Sequence, residues 1–115
     1  MTADNNISNP AFKGIYKVSM PDIKSMKDGK EKDGVANTMI NAIVLGTNLS
    51  TAEPRISKDS SAVYFKIDDK HDKVFESNFK QIVDECNKQF NVDVAKKVYY
   101  KKTDNKEFNN AIEVK

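Results

Sequence analysis

The stretch from Asp72 to Phe90 constrains this chain more than any other. Phe75, Phe79, Ile82, Val83, Cys86 and Phe90 fall at i, i+4, i+7, i+8, i+11 and i+15, one face of an α-helix. A helix with such a stripe needs an apolar surface to lie on. The flanking segments supply one. Ser61 to Ile67 alternates, with Val63, Phe65 and Ile67 on one side and Tyr64 and Lys66 on the other. Val94 to Thr103 reads as a further strand, with Val98 and Tyr100 facing the helices and Lys97, Tyr99 and Lys101 facing away. This strand–helix–strand unit predicts a packed domain.

Upstream, Phe12 to Met20 reads as a strand. Phe12, Gly14, Tyr16, Val18 and Met20 point one way, Lys13, Lys17 and Ser19 point the other, and Ile15 interrupts the polar face. Pro21 ends it, and Asp22 to Gly34 reads as a charged flexible loop, or a frayed helical turn followed by one. Val35 to Leu45 fits a helix capped by Asp33 and stopped by Gly46, while Met39 to Leu45 alone fits a short buried strand. The two end signals favour the helix. Thr47 to Ser60 reads as a long polar connection, and Phe108, Ile112 and Val114 as a short strand or docked tail. Alternating strands with lysines on one side predict one solvated sheet face. The expected fold is therefore a two-layer α+β domain of βαβαβ order: a mixed sheet of three or four strands, helices on one face, and the strands joined by the long helix either adjacent or separated by a third.

A chain of 115 residues is one domain, here residues 11–115 after a flexible polar lead-in over residues 1–10. Net charge is +2, too weak by itself to imply nucleic acid. The excess is local, because residues 94–115 hold six lysines and three acids. One cysteine excludes an internal disulfide and the usual cysteine zinc sites. Cys86 sits on the apolar stripe, which marks it as core and not as a nucleophile. With no apolar leader and no run of membrane-spanning length, a cytoplasmic protein with no membrane partner is expected, a mature secreted form being the alternative.

Three segments carry candidate chemistry. Asp68-Asp69-Lys70-His71-Asp72 lies between a strand and a helix. Asp68, Asp69 and His71 are metal or acid/base candidates there, but a turn with Asp72 as helix N-cap explains the same residues. Lys97, Tyr99 and Lys101, with Tyr64 as a second aromatic, form a basic strand face suited to phosphates and a stacked base, or equally a lysine-protected sheet edge. Arg55, followed by Ser57, Lys58, Ser60 and Ser61, has the chemistry to grip an anion, or to pair with an acid in a solvated loop. No motif fixes a reaction, and no cofactor is expected. These features predict a small non-enzymatic binding domain whose partner is most simply another protein. A single-stranded nucleic-acid binder using residues 96–102 and a small metal-assisted or acid/base enzyme using residues 68–72 are the alternatives.

Overall fold

A computed structural model describes residues 14–113. The expected lead-in over residues 1–10, the start of the first strand at Phe12 and Lys13, and Val114 lie outside them. Five strands and three α-helices follow in the order β1 (Ile15–Ser19), α1 (Lys30–Leu49), β2 (Arg55–Ile56), β3 (Ala62–Lys66), α2 (Asp72–Phe90), β4 (Tyr99–Lys102), α3 (Asn105–Asn110) and β5 (Ile112–Glu113). This is an α+β fold, with α1 and α2 packed on one face of the sheet. No helix among the described residues is long and apolar enough to cross a membrane.

The sheet order is β4-β1-β3-β2-β5, and every neighbouring pair is antiparallel. The expected mixed sheet of three or four strands is thereby corrected. β3 and β4, the strands joined by α2, do run parallel, but β1 lies between them and is antiparallel to both. The crossover passes over a whole strand, so the parallel pair never become neighbours. β2 lies within the segment that reads in sequence as polar connection, and it pairs Arg55 with Tyr64 and Ile56 with Val63. Residues 94–98 do not extend β4. Val94–Lys96 forms a 3₁₀ turn, which places Lys97 before the strand.

The stripe of α2 behaves as its periodicity requires. Phe75, Phe79, Val83 and Cys86 are buried, while Ile82 and Phe90 are half-buried. Asn91 closes the helix in the left-handed conformation, with φ of 53°. Phe75 stands at the centre of the aromatic core, its ring centroid 4.4 Å from Tyr16 and 5.8 Å from Tyr100. Asp72 is not the N-cap. It lies inside the first turn, where its carboxylate accepts Tyr16 Oη at 2.5 Å and Lys102 Nζ at 2.7 Å. Burial raises this carboxyl, but the Lys102 ammonium and the Tyr16 hydroxyl outweigh it and hold the group below its ordinary value. A charged clasp thus ties α2 to β1 and β4. Cys86 is buried, so it is expected to react slowly with a thiol reagent in the native state and quickly in denaturant. Equal rates would place it outside the core.

Helix α1 is longer than its sequence signals suggest. It starts after Gly29, not at an Asp33 cap, and runs through Gly46. Glu31 and Asp33 instead fill the first turn, where acids suit the positive helix end. Gly46 is buried against the Phe65 ring, so its lack of a side chain brings α1 close to β3. Gly14 is a glycine for another reason. Its φ is +76°, and a Cβ there would run into the Ile67 carbonyl oxygen.

The second sheet face is not left wholly to solvent. Ile15, Ala62, Tyr64 and Phe108 form a small second core, with α3 as its lid. The two expected helices, α1 and α2, do share one face, and the unexpected α3 covers part of the face expected to be solvated. Ile15, which interrupts the polar alternation of β1, lies in this second core.

Candidate functional site

The outer sheet face is built by cross-strand register. Lys17 lies opposite Tyr64 on one side and Lys101 on the other, and Tyr64 lies opposite Arg55. Directly paired residues share a face. Lys101, Lys17, Tyr64 and Arg55 therefore form one row across four strands. Tyr99, opposite Ser19, lies on the same face.

Glu107 organises the middle of this row. Asp104 caps α3 by accepting the Glu107 N–H at 2.9 Å, and the helix then turns the Glu107 carboxylate down onto the sheet. Glu107 accepts Tyr64 Oη at 2.6 Å, pairs with Lys17 Nζ at 3.0 Å and accepts Thr103 Oγ1 at 3.0 Å. The Tyr64 hydroxyl, with help from Lys17 and Thr103, holds the Glu107 carboxyl below its ordinary value against the effect of burial. The hydrogen bond to Glu107 raises Lys17, and burial followed by the Glu107 bond raises Tyr64. Glu107 was not among the residues singled out in sequence. The spacing of Asp104 and Glu107 ahead of Phe108 was the available signal, since it is that of a capping box.

A pH dependence follows. The folded-state pKa of Glu107 lies below the ordinary 4.5, so its contribution to stability is present above that value and is lost as pH falls through the folded pKa. The Lys17 contribution has the opposite sense: it is complete below 10.5 and lost as pH rises through the raised folded pKa. Glu107→Gln is expected to lower the urea midpoint at about pH 7, with the gap to the parent narrowing towards about pH 3. A gap of constant size would show that Glu107 acts through packing alone.

The candidate residues separate under this geometry. Tyr64 is buried under α3, so its ring is not open to a base. Arg55 is engaged with α3. Its Nη1 donates to the Asn109 and Ala111 carbonyls at 3.2 and 3.3 Å, and its guanidinium lies 5.0 Å from the Phe108 ring centroid. It satisfies the end of the short helix instead of waiting for an anion. The serines beside it serve Asp59. Ser57 Oγ and Ser61 Oγ each donate to Asp59 at 2.7 Å, and with the Ser61 N–H they depress its carboxyl to about 2. Lys97 leaves the row to meet Glu31 of α1 at 3.2 Å. Tyr99 and Lys101 remain on the open face. Tyr99 is 52% exposed, and Lys101 is exposed and in no ion pair among the described residues.

Asp68, Asp69 and His71 do not gather into a three-ligand group. Asp68 caps a 3₁₀ turn and meets His71 Nδ1 at 2.7 Å, which depresses the Asp68 carboxyl. Among the described residues no three His, Cys, Asp or Glu side chains are placed to hold a metal ion.

Two hollows flank the open row, and another lies across the sheet from it. One of about 690 Å³ lies between α3 and the β2–β3 turn, over Lys17, Tyr64 and Glu107. A second, of about 420 Å³, shares Lys17 and Ser61 with it and reaches Lys97 and Tyr99. The third, of about 250 Å³, lies on the inner side of β4 over Phe79, Val83, Val98 and Tyr100. Elsewhere, Ile40 and Val44 of α1 are 60% and 53% exposed one helical turn apart. This chain matches no protein-family model, no curated protein and no solved structure.

Proposed function

We propose that this is a non-enzymatic domain that binds another protein through the outer sheet face around β4. One observation carries the reading: Tyr99 and Lys101 stand exposed on the edge strand, beyond the cover of α3. Exposed tyrosine contributes large contact area with few rotatable bonds, and is enriched at protein interfaces. The connected hollows beside it give that contact relief. A single-stranded nucleic acid is a poorer fit to the same face. Sheet-type binders stack two or three bases on neighbouring aromatics. Here Tyr64 is occupied by Glu107, and among the described residues Tyr99 has no second open ring on that face.

The test is a protein-display selection against the folded chain, followed by affinity measurements on variants. Selected binders are expected to lose about tenfold or more in affinity on Tyr99→Ala combined with Lys101→Glu, the size of a central interface contact. They are expected to be indifferent to Ile40→Ser. Binders that ignore Tyr99 and Lys101 but need Ile40 would move the interface to α1 and end this reading. Micromolar oligonucleotide binding at physiological salt, lost in Tyr99→Ala with the fold intact, would replace the protein partner by nucleic acid.

A further inference from the structure

β4 is an end strand of the sheet. It pairs with β1 from Tyr99 to Lys102, and the phase of the ladder follows from the next bond in register, the Thr103 N–H donating to the Ile15 carbonyl at 2.9 Å. In an antiparallel ladder the direction of N–H and C=O alternates along the strand. Tyr99, Lys101 and Thr103 therefore turn their backbone towards β1. Tyr100 and Lys102 turn theirs outward, where no described residue pairs with them. The two sides of this edge differ in chemistry. On the inner side lies the hollow of about 250 Å³, floored by Phe79, Val83, Val98 and Tyr100 and rimmed by Lys80 and Asp84. On the outer side lie Tyr99 and the ammonium of Lys101. Lys102 is already held by Asp72.

Deepening the reading above, and resting on it, we propose that the partner contributes an extended segment that pairs with β4 as a sixth strand, its side chains alternating apolar and acidic. Addition to an exposed edge takes its affinity from main-chain hydrogen bonds and its specificity from alternate side-chain pockets. Successive side chains of an added strand point to opposite faces. One set falls over the Phe79–Val83 hollow, and the other falls beside Lys101. The charge pattern also selects the occupant. Two copies of this edge paired antiparallel about Lys101 would bring that lysine against its own counterpart, a repulsive arrangement that blunts self-pairing. Acidic side chains on the outer face of an added strand meet Lys101 favourably.

The probe is a short capped peptide of alternating valine and glutamate. Its controls are a peptide of the same composition with the valines grouped together, and the alternating peptide N-methylated along its pairing edge. Amide shifts and hydrogen exchange are followed in the isotope-labelled full chain. The alternating peptide is expected to bind and to slow exchange at the Tyr100 and Lys102 amides. Each control is expected to bind about tenfold more weakly or worse, because the paired backbone bonds or the alternation is lost. Lys101→Glu, an exposed substitution checked for fold by circular dichroism, is expected to weaken the alternating peptide. Equal binding of all three peptides would overturn strand addition and leave simple charge attraction, with protein binding at this face still standing. Failure of all three to bind, while display-selected partners still need Tyr99 and Lys101, would also overturn strand addition alone. Failure of all three, with selected partners indifferent to both residues, would overturn both proposals. Slow exchange at Tyr100 and Lys102 before any peptide is added would show the edge already covered, by a second copy or by residues 1–13, and would end the proposal as well.

Discussion

Phe75→Ala is expected to destabilise the domain by about 3–5 kcal/mol, the range for deleting a fully buried aromatic side chain. Phe75 is 0% exposed, and four aromatic rings surround it: Tyr16, Phe65, Phe79 and Tyr100. Those rings come from β1, β3, α2 and β4, so the cavity would open where the sheet and the crossover helix meet. Large flat rings held by different elements cannot close such a gap without moving their strands, which places the loss towards the upper part of the range. Phe79→Ala, one turn later on the same face, should fall in the same range of about 3–5 kcal/mol, because its ring lies 5.0 Å from Tyr100 and 5.9 Å from Phe75. Urea unfolding of each variant decides it. A loss within the surface range of about 0.5 kcal/mol at either position would mean that the α2 stripe does not face the sheet.

Gly46→Ala is expected to destabilise as well, although helix propensity argues the reverse. In an exposed helix interior alanine is favoured over glycine by about 1 kcal/mol. At position 46 an added Cβ would stand 2.5 to 2.6 Å from three atoms of the Phe65 ring. The ring has little room to yield, since Phe65 is fully buried with Phe75 behind it at 6.3 Å. Overpacking of a tight core costs about 1–3 kcal/mol, and here it should exceed the propensity gain. A lower urea midpoint with an unchanged m-value is the expected signature. A higher midpoint would show that α1 and β3 can separate by close to an ångström at no cost, and that propensity governs the position.

These three substitutions mark how far local pattern reaches in this chain. Phe75 and Phe79 were legible because a period of 3.6 is written into consecutive residues and needs no knowledge of the partner surface. The same holds for Val63, Phe65 and Ile67, and for Tyr16 and Val18, whose alternation specifies a face before any strand has a neighbour. The same alternation places Tyr100 on the packed side, and its ring does lie among Tyr16, Phe75 and Phe79. Gly46 was misread for the complementary reason. A glycine after an apolar run signals a helix end when only the chain is seen, and a close helix–sheet approach when the sheet is seen.

The candidate site was legible in part. The outward facing of Tyr99 and Lys101 followed from alternation alone. The fates of Tyr64, Arg55 and Lys97 did not, because each depends on a residue distant in sequence: Glu107 for Tyr64, the Asn109 and Ala111 carbonyls for Arg55, and Glu31 for Lys97. Short-range periodicity carries the fold class, the long helix and the face of each main strand, since those are set by which side chains avoid water. Strand order, the placing of β1 between β3 and β4, and the docking of α3 over the second face rest on pairings and ion contacts between segments far apart in the chain. Many such arrangements bury comparable apolar area, and only the assembled molecule selects among them.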